Sequence, residues 1–246
     1  MTGLPVPAEL GKLDRELAQA IKPILSRIAP EKPPPWNIEL APSEEYATEV
    51  LRSNQEVKNS IERMRQSLAL LSGYRRDRLA GAASLHRVEY INYHMESFFV
   101  NMVGVSDRAL RLINTTLRLG LDPRDCAERV IMRCKQVKGT PIEAQWKSLN
   151  TEARRYATER NAVVHHSRFR DEESDLIAFI TAMDAIESVS AAIPTRIKDL
   201  TRVALNDHIR ELRNRYGAHP DTLAMAALGL EDALLPIAKA SVQSLQ

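Results

Sequence analysis

The chain has 246 residues, long enough for one helical domain with appendages or for two small domains. Its apolar fraction of 44% can fill a core, which excludes a disordered chain, and it contains no signal segment and no apolar run of membrane-spanning length, so we expect a cytoplasmic protein without membrane contact. The net charge of +2 does not indicate a nucleic-acid binder by itself, so such a role depends on local clusters of arginine.

Apolar residues recur at helical spacing along almost the whole chain, which predicts an all-α protein. A first short helix is indicated between Leu13 and Ile24, with Pro23 interrupting it, and the proline-rich stretch Ala29 to Ser43 predicts an extended linker. A longer helix follows from about Glu44 to Leu71. Its apolar stripe comprises Tyr46, Val50, Val57, Ile61, Met64, Leu68 and Leu71.

The next two predicted helices form an antiparallel hairpin. One runs from about Arg76 to Val103, and the other begins at Ser106 or Asp107 and stops at Gly120. Further helix starts are predicted where a capping residue precedes a first-turn proline. These starts are Asp122–Pro123 and Thr140–Pro141, the second with Glu143 completing a capping box.

The helix that starts at Thr140 is predicted to continue to Val164, and the apolar pattern resumes from about Glu172. We therefore predict an antiparallel helical bundle with an N-terminal helical extension and a C-terminal helical tail. The expected parts are the N-terminal helix and linker (residues 1–43), the bundle (44–200, with its core at about 76–193) and the tail (201–246).

A candidate catalytic group lies at the end of the helix from Thr140. Arg160 is followed directly by Asn161, and His165 and His166 come five and six residues after the arginine. Arginine stays cationic and binds phosphate oxygens bidentately, whereas histidine exchanges protons near neutral pH. More arginines surround this group: Arg154, Arg155, Arg168 and Arg170.

The segment from Arg160 to His165 resembles the R-x(4–6)-H signature of the HEPN superfamily (higher eukaryotes and prokaryotes nucleotide-binding domains), in which a polar residue often follows the arginine. In that family the motif closes the third helix of an antiparallel bundle, just before the fourth. Here it closes the predicted helix from Thr140 and precedes the one from about Glu172. The resemblance covers about residues 76 to 193, roughly half of the chain.

Active members of the family are metal-independent endoribonucleases, so the resemblance implies RNA as the substrate and neither metal nor cofactor. RNA cleavage without a metal needs an acid or base for the 2′-hydroxyl and the leaving oxygen, and a cation for the charge that builds on the phosphate. The resemblance gives Arg160 the second role, His165 or His166 the first, and Asn161 a hydrogen-bonding role. The surrounding arginines would bind RNA.

Helical geometry separates these groups. Five residues of helix place Arg160 and His165 about 140° and ~7.5 Å apart, and His166 lies about 120° from Arg160 on the other side. They converge only if the helix unwinds after Val164 or if two chains share the site. The family's usual solution is a homodimer that brings two motifs into one basic cleft.

A second segment satisfies the same pattern. Arg213 and Asn214 precede His219 at an allowed spacing, but Gly217 and Pro220 are typical of a helix stop, so we expect His219 to be a cap or turn residue.

A purely structural interpretation also stays open for the first segment. In it Arg160 pairs with Glu152 or Glu159, and the histidines cap the last helical carbonyls. A packing module would also bury Val163 and Val164.

We therefore predict a metal-independent endoribonuclease of HEPN type, active as a toxin or antiviral defence effector, with a non-catalytic nucleotide- or protein-binding module as the alternative. The expected partners are RNA, a second copy of the chain, and an antitoxin or regulatory protein. One branch of the family carries a tyrosine two residues past the histidine, modified by an antitoxin nucleotidyltransferase. Ser167 and Arg168 stand at the corresponding positions, so that type of antitoxin is not indicated.

Overall fold

The computed structural model describes residues 11–28, 38–74, 87–166, 175–177, 179 and 195–246. Within these ranges the chain forms helices joined by turns and no β-strand, which confirms the all-α prediction. The helices are α1 (Lys12–Ile28), α2 (Pro42–Leu70), α3 (Arg87–Leu117), α4 (Glu128–Ile131), α5 (Pro141–Ala153), α6 (Ala157–His166), α7 (Thr195–Tyr216) and α8 (His219–Ser244).

Several predicted features lie outside the described residues. They include most of the proline-rich linker, the first turns of the helix predicted from Arg76, and Arg168 and Arg170 beside the motif. The helix predicted from about Glu172 is described only at 175–177 and 179. Among the helices that are described, none is long and apolar enough to cross a lipid bilayer.

The chain divides into two compact units. The first comprises Met1–Asn59, Gly104–Glu152 and Leu223–Gln246. Its α1 runs antiparallel to α2, because Arg27 near the end of α1 pairs with Glu44 near the start of α2. Its core is made of apolar side chains from α1, α2, α3, α5 and α8, among them Leu13, Leu17, Val50, Val57, Leu112, Trp146, Leu149, Leu230 and Leu234.

A buried ionic cluster joins three helices of the first unit. Lys58 of α2 forms ion pairs with Asp14 of α1 and with Glu231 of α8, at 3.0 Å for the glutamate. Asn54 donates a hydrogen bond of 2.6 Å to Asp14. Burial is the main factor that raises the pKa of Glu231, and the ammonium of Lys58 opposes this effect. The cluster therefore connects helices that are distant in sequence through charges that depend on one another.

The second unit comprises Ser60–Val103 and Ala153–Thr222. Its core combines the C-terminal half of α2, the first half of α3 and the second half of α7. The buried side chains include Ile61, Met64, Leu68, Ile91, Met95, Phe98, Phe99, Leu205, Ile209, Leu212 and Tyr216. The apolar stripe predicted for the second helix is confirmed across both units, since all seven of its members are buried.

The predicted hairpin before Gly120 is wrong, because α3 is one continuous helix from Arg87 to Leu117. Ser106 and Asp107 lie inside it, and Ser106 is paired by a 3.0 Å hydrogen bond with Asn150 of α5 instead of capping a new helix. The apolar stripe continues through this point, so burial maintains the helix despite two residues with capping potential.

The two proline-marked helix starts behave differently. At Asp122 the carboxylate accepts a 2.9 Å hydrogen bond from the backbone N–H of Arg124 and closes a local turn, so the helix start predicted there is wrong. At Pro141 α5 does begin as predicted. Glu143 accepts there from the backbone N–H of Gly139 at 2.6 Å, one residue earlier than a standard capping box.

The long helix predicted from Thr140 to Val164 is interrupted. α5 ends at Ala153, residues 154–156 form a turn, and α6 begins at Ala157. The break separates the capping-box helix from the helix that carries the motif. The orientation of the motif is therefore set by the contacts of α6 itself.

Candidate functional site

The N-terminal turn of α6 is fastened to the end of α7. The carboxylate of Glu159 forms an ion pair of 2.8 Å with the guanidinium of Arg215. The hydroxyl of Tyr156 donates a 3.3 Å hydrogen bond to the backbone carbonyl of Arg215. A single residue of α7 thus holds the start of α6 through its side chain and through its main chain.

An aromatic cluster supports this junction. The ring of Tyr156 meets the rings of Tyr216 and His219 edge-on, with centroids 4.9 and 5.1 Å apart. Tyr216 in turn packs against Phe98 and Phe99 of α3. Edge-on aromatic pairs of this kind stabilise beyond the area that they bury. The junction is therefore a packed part of the core, and α6 extends from it.

Arg160 lies one turn into α6. Its guanidinium donates a 3.0 Å hydrogen bond to the side-chain oxygen of the neighbouring Asn161, while its Nε is buried and has no acceptor among the described residues. In the described part of the chain Arg160 forms no ion pair, and Glu159, one of its two proposed structural partners, pairs with Arg215 instead. The motif arginine and its polar neighbour thus act as one unit, and no described carboxylate pairs with the guanidinium.

The sequence leaves open whether the helix unwinds after Val164 or whether two chains share the site. α6 extends to His166 and does not unwind after Val164. Positions 160 and 165 therefore keep the helical separation of about 140° around the axis and ~7.5 Å along it. Val163, between them, is buried in the core. The side chains of Val164, His165 and His166 lie outside the described residues.

Two of the surrounding arginines are described. Arg154 and Arg155 are exposed and occupy the turn between α5 and α6, directly before the motif helix. They therefore place two further arginines on the N-terminal side of α6.

The second segment with the same residue pattern has a different environment. Arg213 donates hydrogen bonds of 3.2 and 2.9 Å to the backbone carbonyls of Leu68 and Ala69, in the last turn of α2. His219 is buried at the first position of α8, against Tyr156. Asn214 is exposed on α7. The arginine thus caps a helix C-terminus, and the histidine belongs to the aromatic cluster.

A family model for Cthe2314-like HEPN proteins matches residues 53–217, about two thirds of the chain. The chain belongs to the HEPN superfamily. This agrees with the resemblance of the motif and with the all-α fold. The chain has no significant match to a curated protein or to a solved structure.

Membership of the HEPN superfamily indicates a function of ribonuclease type or one connected with nucleotides. HEPN domains often dimerise and bind RNA. The part of this HEPN chain that the structure describes contains no group of three His, Cys, Asp or Glu side chains arranged to hold a metal ion.

Sequence reasoning did not identify the residues that position the HEPN motif helix. In the sequence, Tyr156 is one of several apolar or aromatic residues at helical spacing and Arg215 one of several arginines near the end of a helix, so neither stands out. Their contact joins positions 59 residues apart, so no local pattern predicts it. The local sequence contributes only Tyr156 and Glu159 near the start of the motif helix, and it does not show that their partner is Arg215.

Proposed function

We propose that this protein is a metal-independent endoribonuclease of HEPN type, and that its catalytic groups are Arg160, Asn161 and His165 or His166. The observation that carries the proposal is the state of Arg160. It lies on the motif helix of a HEPN chain, hydrogen-bonded to Asn161 and without an ion pair among the described residues. A cation left without a carboxylate is available to a phosphate group.

The chemistry needs two kinds of group. A histidine removes the proton from the 2′-hydroxyl, which attacks the adjacent phosphorus, and an acid protonates the leaving 5′-oxygen, which gives a 2′,3′-cyclic phosphate end. The guanidinium of Arg160 stabilises the extra negative charge on the phosphate oxygens during this step. Asn161, bonded to Arg160 at 3.0 Å, fixes the direction of the guanidinium.

We further propose that two copies of the chain share the catalytic centre. Because α6 remains helical through His166, Arg160 and either histidine position point to different sides of one helix. A second copy related by a two-fold axis supplies the missing group to each site. This arrangement agrees with the tendency of HEPN domains to dimerise.

The surrounding arginines would guide RNA to this centre. Arg154 and Arg155 are exposed beside the motif helix, and Arg168 and Arg170 follow the motif in sequence. Arginines in such a cluster bind the phosphate backbone without regard to sequence. Cleavage of RNA in its own cell would make the protein a toxin or an antiviral effector, controlled by an antitoxin or regulatory protein.

The test is cleavage of a mixed RNA pool by purified protein in EDTA. Wild type, Arg160→Ala and the control Arg210→Ala are compared by fragment length and by the presence of 2′,3′-cyclic ends. Arg210 is a suitable control because it is an exposed arginine in a surface ion pair with Asp207. We expect wild type and the control to cleave equally and Arg160→Ala to be at least about 100-fold slower.

Equal cleavage by wild type and Arg160→Ala would show that the catalytic centre does not include this motif. If wild type left all RNA intact in EDTA while remaining folded, the metal-independent activity would be refuted. The alternative of a non-catalytic binding module would then take its place.

A further inference from the structure

A second cationic surface occurs in the first unit, in a segment that the motif does not include. The segment from residue 129 to residue 139 contains four cations and no carboxylate. This is a greater excess of positive charge than the net +2 of the whole chain. We call Arg129, Arg133, Lys135 and Lys138 the cationic platform.

The cations of the platform are exposed and have no carboxylate partner among the described residues. All four side chains are exposed, and none of them forms an ion pair in the part of the chain that the structure describes. Several other exposed cations do form ion pairs, for example Lys12 with Asp232, Arg202 with Asp199, Arg210 with Asp207 and Lys239 with Glu16. What distinguishes the platform is its density of charge: four exposed cations within eleven residues create a local positive potential that favours an anion.

The platform is an ordered structure. A chain of backbone hydrogen bonds of 2.9 to 3.2 Å connects Ala127 to Thr140. Ile131 and Val137 are completely buried and anchor the segment to the core. Gly139, with φ of +74°, then turns the chain toward α5. These contacts fix the backbone that carries the four exposed cations, so less conformational entropy is lost when the platform binds a ligand.

Two arginines of the platform line a surface depression. Arg129 and Arg133 line it together with Ala127, Glu128 and Met132, and its volume is about 460 Å³. Ala127 and Met132 offer apolar contact to a nucleobase, and the two guanidinium groups offer hydrogen bonds to its phosphates. An acidic peptide would use the cations but not the apolar contact, so the combination favours RNA.

We infer that the cationic platform binds the sugar–phosphate backbone of the RNA substrate through residues other than those of the motif helix. This inference depends on the proposed function for the identity of the polyanion. Contacts to phosphates increase affinity without sequence preference, so the platform adds affinity for RNA and takes no part in the cleavage step.

The test measures binding separately from cleavage. All proteins carry Arg160→Ala, and a labelled single-stranded RNA is titrated in EDTA at several salt concentrations. The platform variant replaces Arg129, Arg133, Lys135 and Lys138 by Gln. The matched control replaces four exposed cations from surface ion pairs, Lys12, Arg202, Arg210 and Lys239, by Gln. Both variants therefore lose the same charge.

We expect the platform variant to bind RNA at least about ten-fold more weakly than its parent, and the slope of log affinity against log salt to become shallower by about 3, since each phosphate contact to a single strand contributes about 0.7. The control should change both quantities little. Circular dichroism verifies the fold of each protein.

Two results overturn the inference. One is an unchanged affinity and salt slope in the platform variant. The other comes from a parallel titration with poly-glutamate. If the platform variant loses binding to poly-glutamate but retains binding to RNA, the platform belongs to an acidic protein partner. The proposed function is tested separately by cleavage with intact Arg160, so a failed platform leaves it standing. Failure of wild type both to cleave and to bind RNA refutes the two together.

Discussion

Two segments of this protein share the order arginine, asparagine and then histidine, yet the structure uses them differently. Arg160 bonds to its own neighbour Asn161 and has no carboxylate partner among the described residues. Arg213 bonds to the carbonyls of Leu68 and Ala69. The first guanidinium is available for a ligand, while the second is occupied by the end of a helix.

The comparison shows why a short motif does not define a site. Both segments satisfy the same spacing, and the difference lies in contacts with residues far away in sequence. The hydrogen-bond partners of each arginine therefore decide which segment has a guanidinium that is available to bind phosphate. Mutations at the two segments separate these roles.

The largest expected contrast is in catalysis. Arg160→Ala removes the cation that stabilises the phosphate and should lower the rate of RNA cleavage about 100-fold to 1,000-fold. Arg213→Ala should retain the wild-type rate per folded molecule, because its guanidinium is bound to backbone carbonyls. The measurement is the initial cleavage rate, normalised to the folded fraction. An Arg213→Ala variant as slow as Arg160→Ala would reverse the assignment of the two segments.

The histidines should differ in stability. His219→Ala opens a gap in the aromatic cluster beside Tyr156 and should lower the free energy of unfolding by about 2 kcal/mol. Urea denaturation measures the change, and His219→Phe, which keeps an aromatic ring, should recover part of the loss. No loss of stability in His219→Ala would show that this histidine is not a packing residue.

A smaller effect is expected from the helix cap. Arg213→Ala removes two hydrogen bonds to the last carbonyls of α2 and should lower the free energy of unfolding by about 1 kcal/mol, since the arginine is largely exposed. Arg210→Ala, three residues earlier in a surface ion pair, is the matched control and should change stability little. Equal stability of the two variants would remove the evidence for a capping role.

The buried ionic cluster of the first unit provides a reference for charges with a purely structural role. Burial raises the pKa of Glu231 above its ordinary value of 4.5. A carboxyl whose pKa is raised by folding contributes stability below its unfolded pKa and loses this contribution as the pH rises through the folded pKa. The unfolding free energy of wild type minus that of Glu231→Gln should therefore decrease as the pH rises above 4.5. A difference that increases with pH would mean that Lys58 outweighs burial.

Local patterns in the sequence predict much of the fold. The spacing of apolar residues identifies α2 together with its buried stripe, and Thr140–Pro141 marks the start of α5. The patterns fail where distant contacts outweigh local preference. Ser106 has capping potential but is paired with Asn150 and remains inside α3. The helix predicted from Thr140 to Val164 likewise does not reveal the turn at residues 154–156.

The sequence predicts which residues form the candidate site, but it does not predict how the motif helix is positioned. Arg160 and Asn161 are adjacent in sequence, so their association has a local origin. The position of the motif helix depends on Glu159 and Tyr156 meeting Arg215, and the role of Arg213 depends on Leu68, 145 residues away. Contacts of this separation follow from the packing of the whole unit and leave no periodic signal.

The most direct test is complementation between two inactive chains. Arg160→Ala and the double variant His165→Ala, His166→Ala are co-expressed with different tags, and the mixed dimer is isolated through both tags. In a shared centre one of its two sites contains an intact arginine and an intact histidine pair, so the mixed dimer should cleave RNA at about half of the wild-type rate while each variant alone is inactive. A mixed dimer that is as inactive as its parents would contradict a catalytic centre shared between two chains.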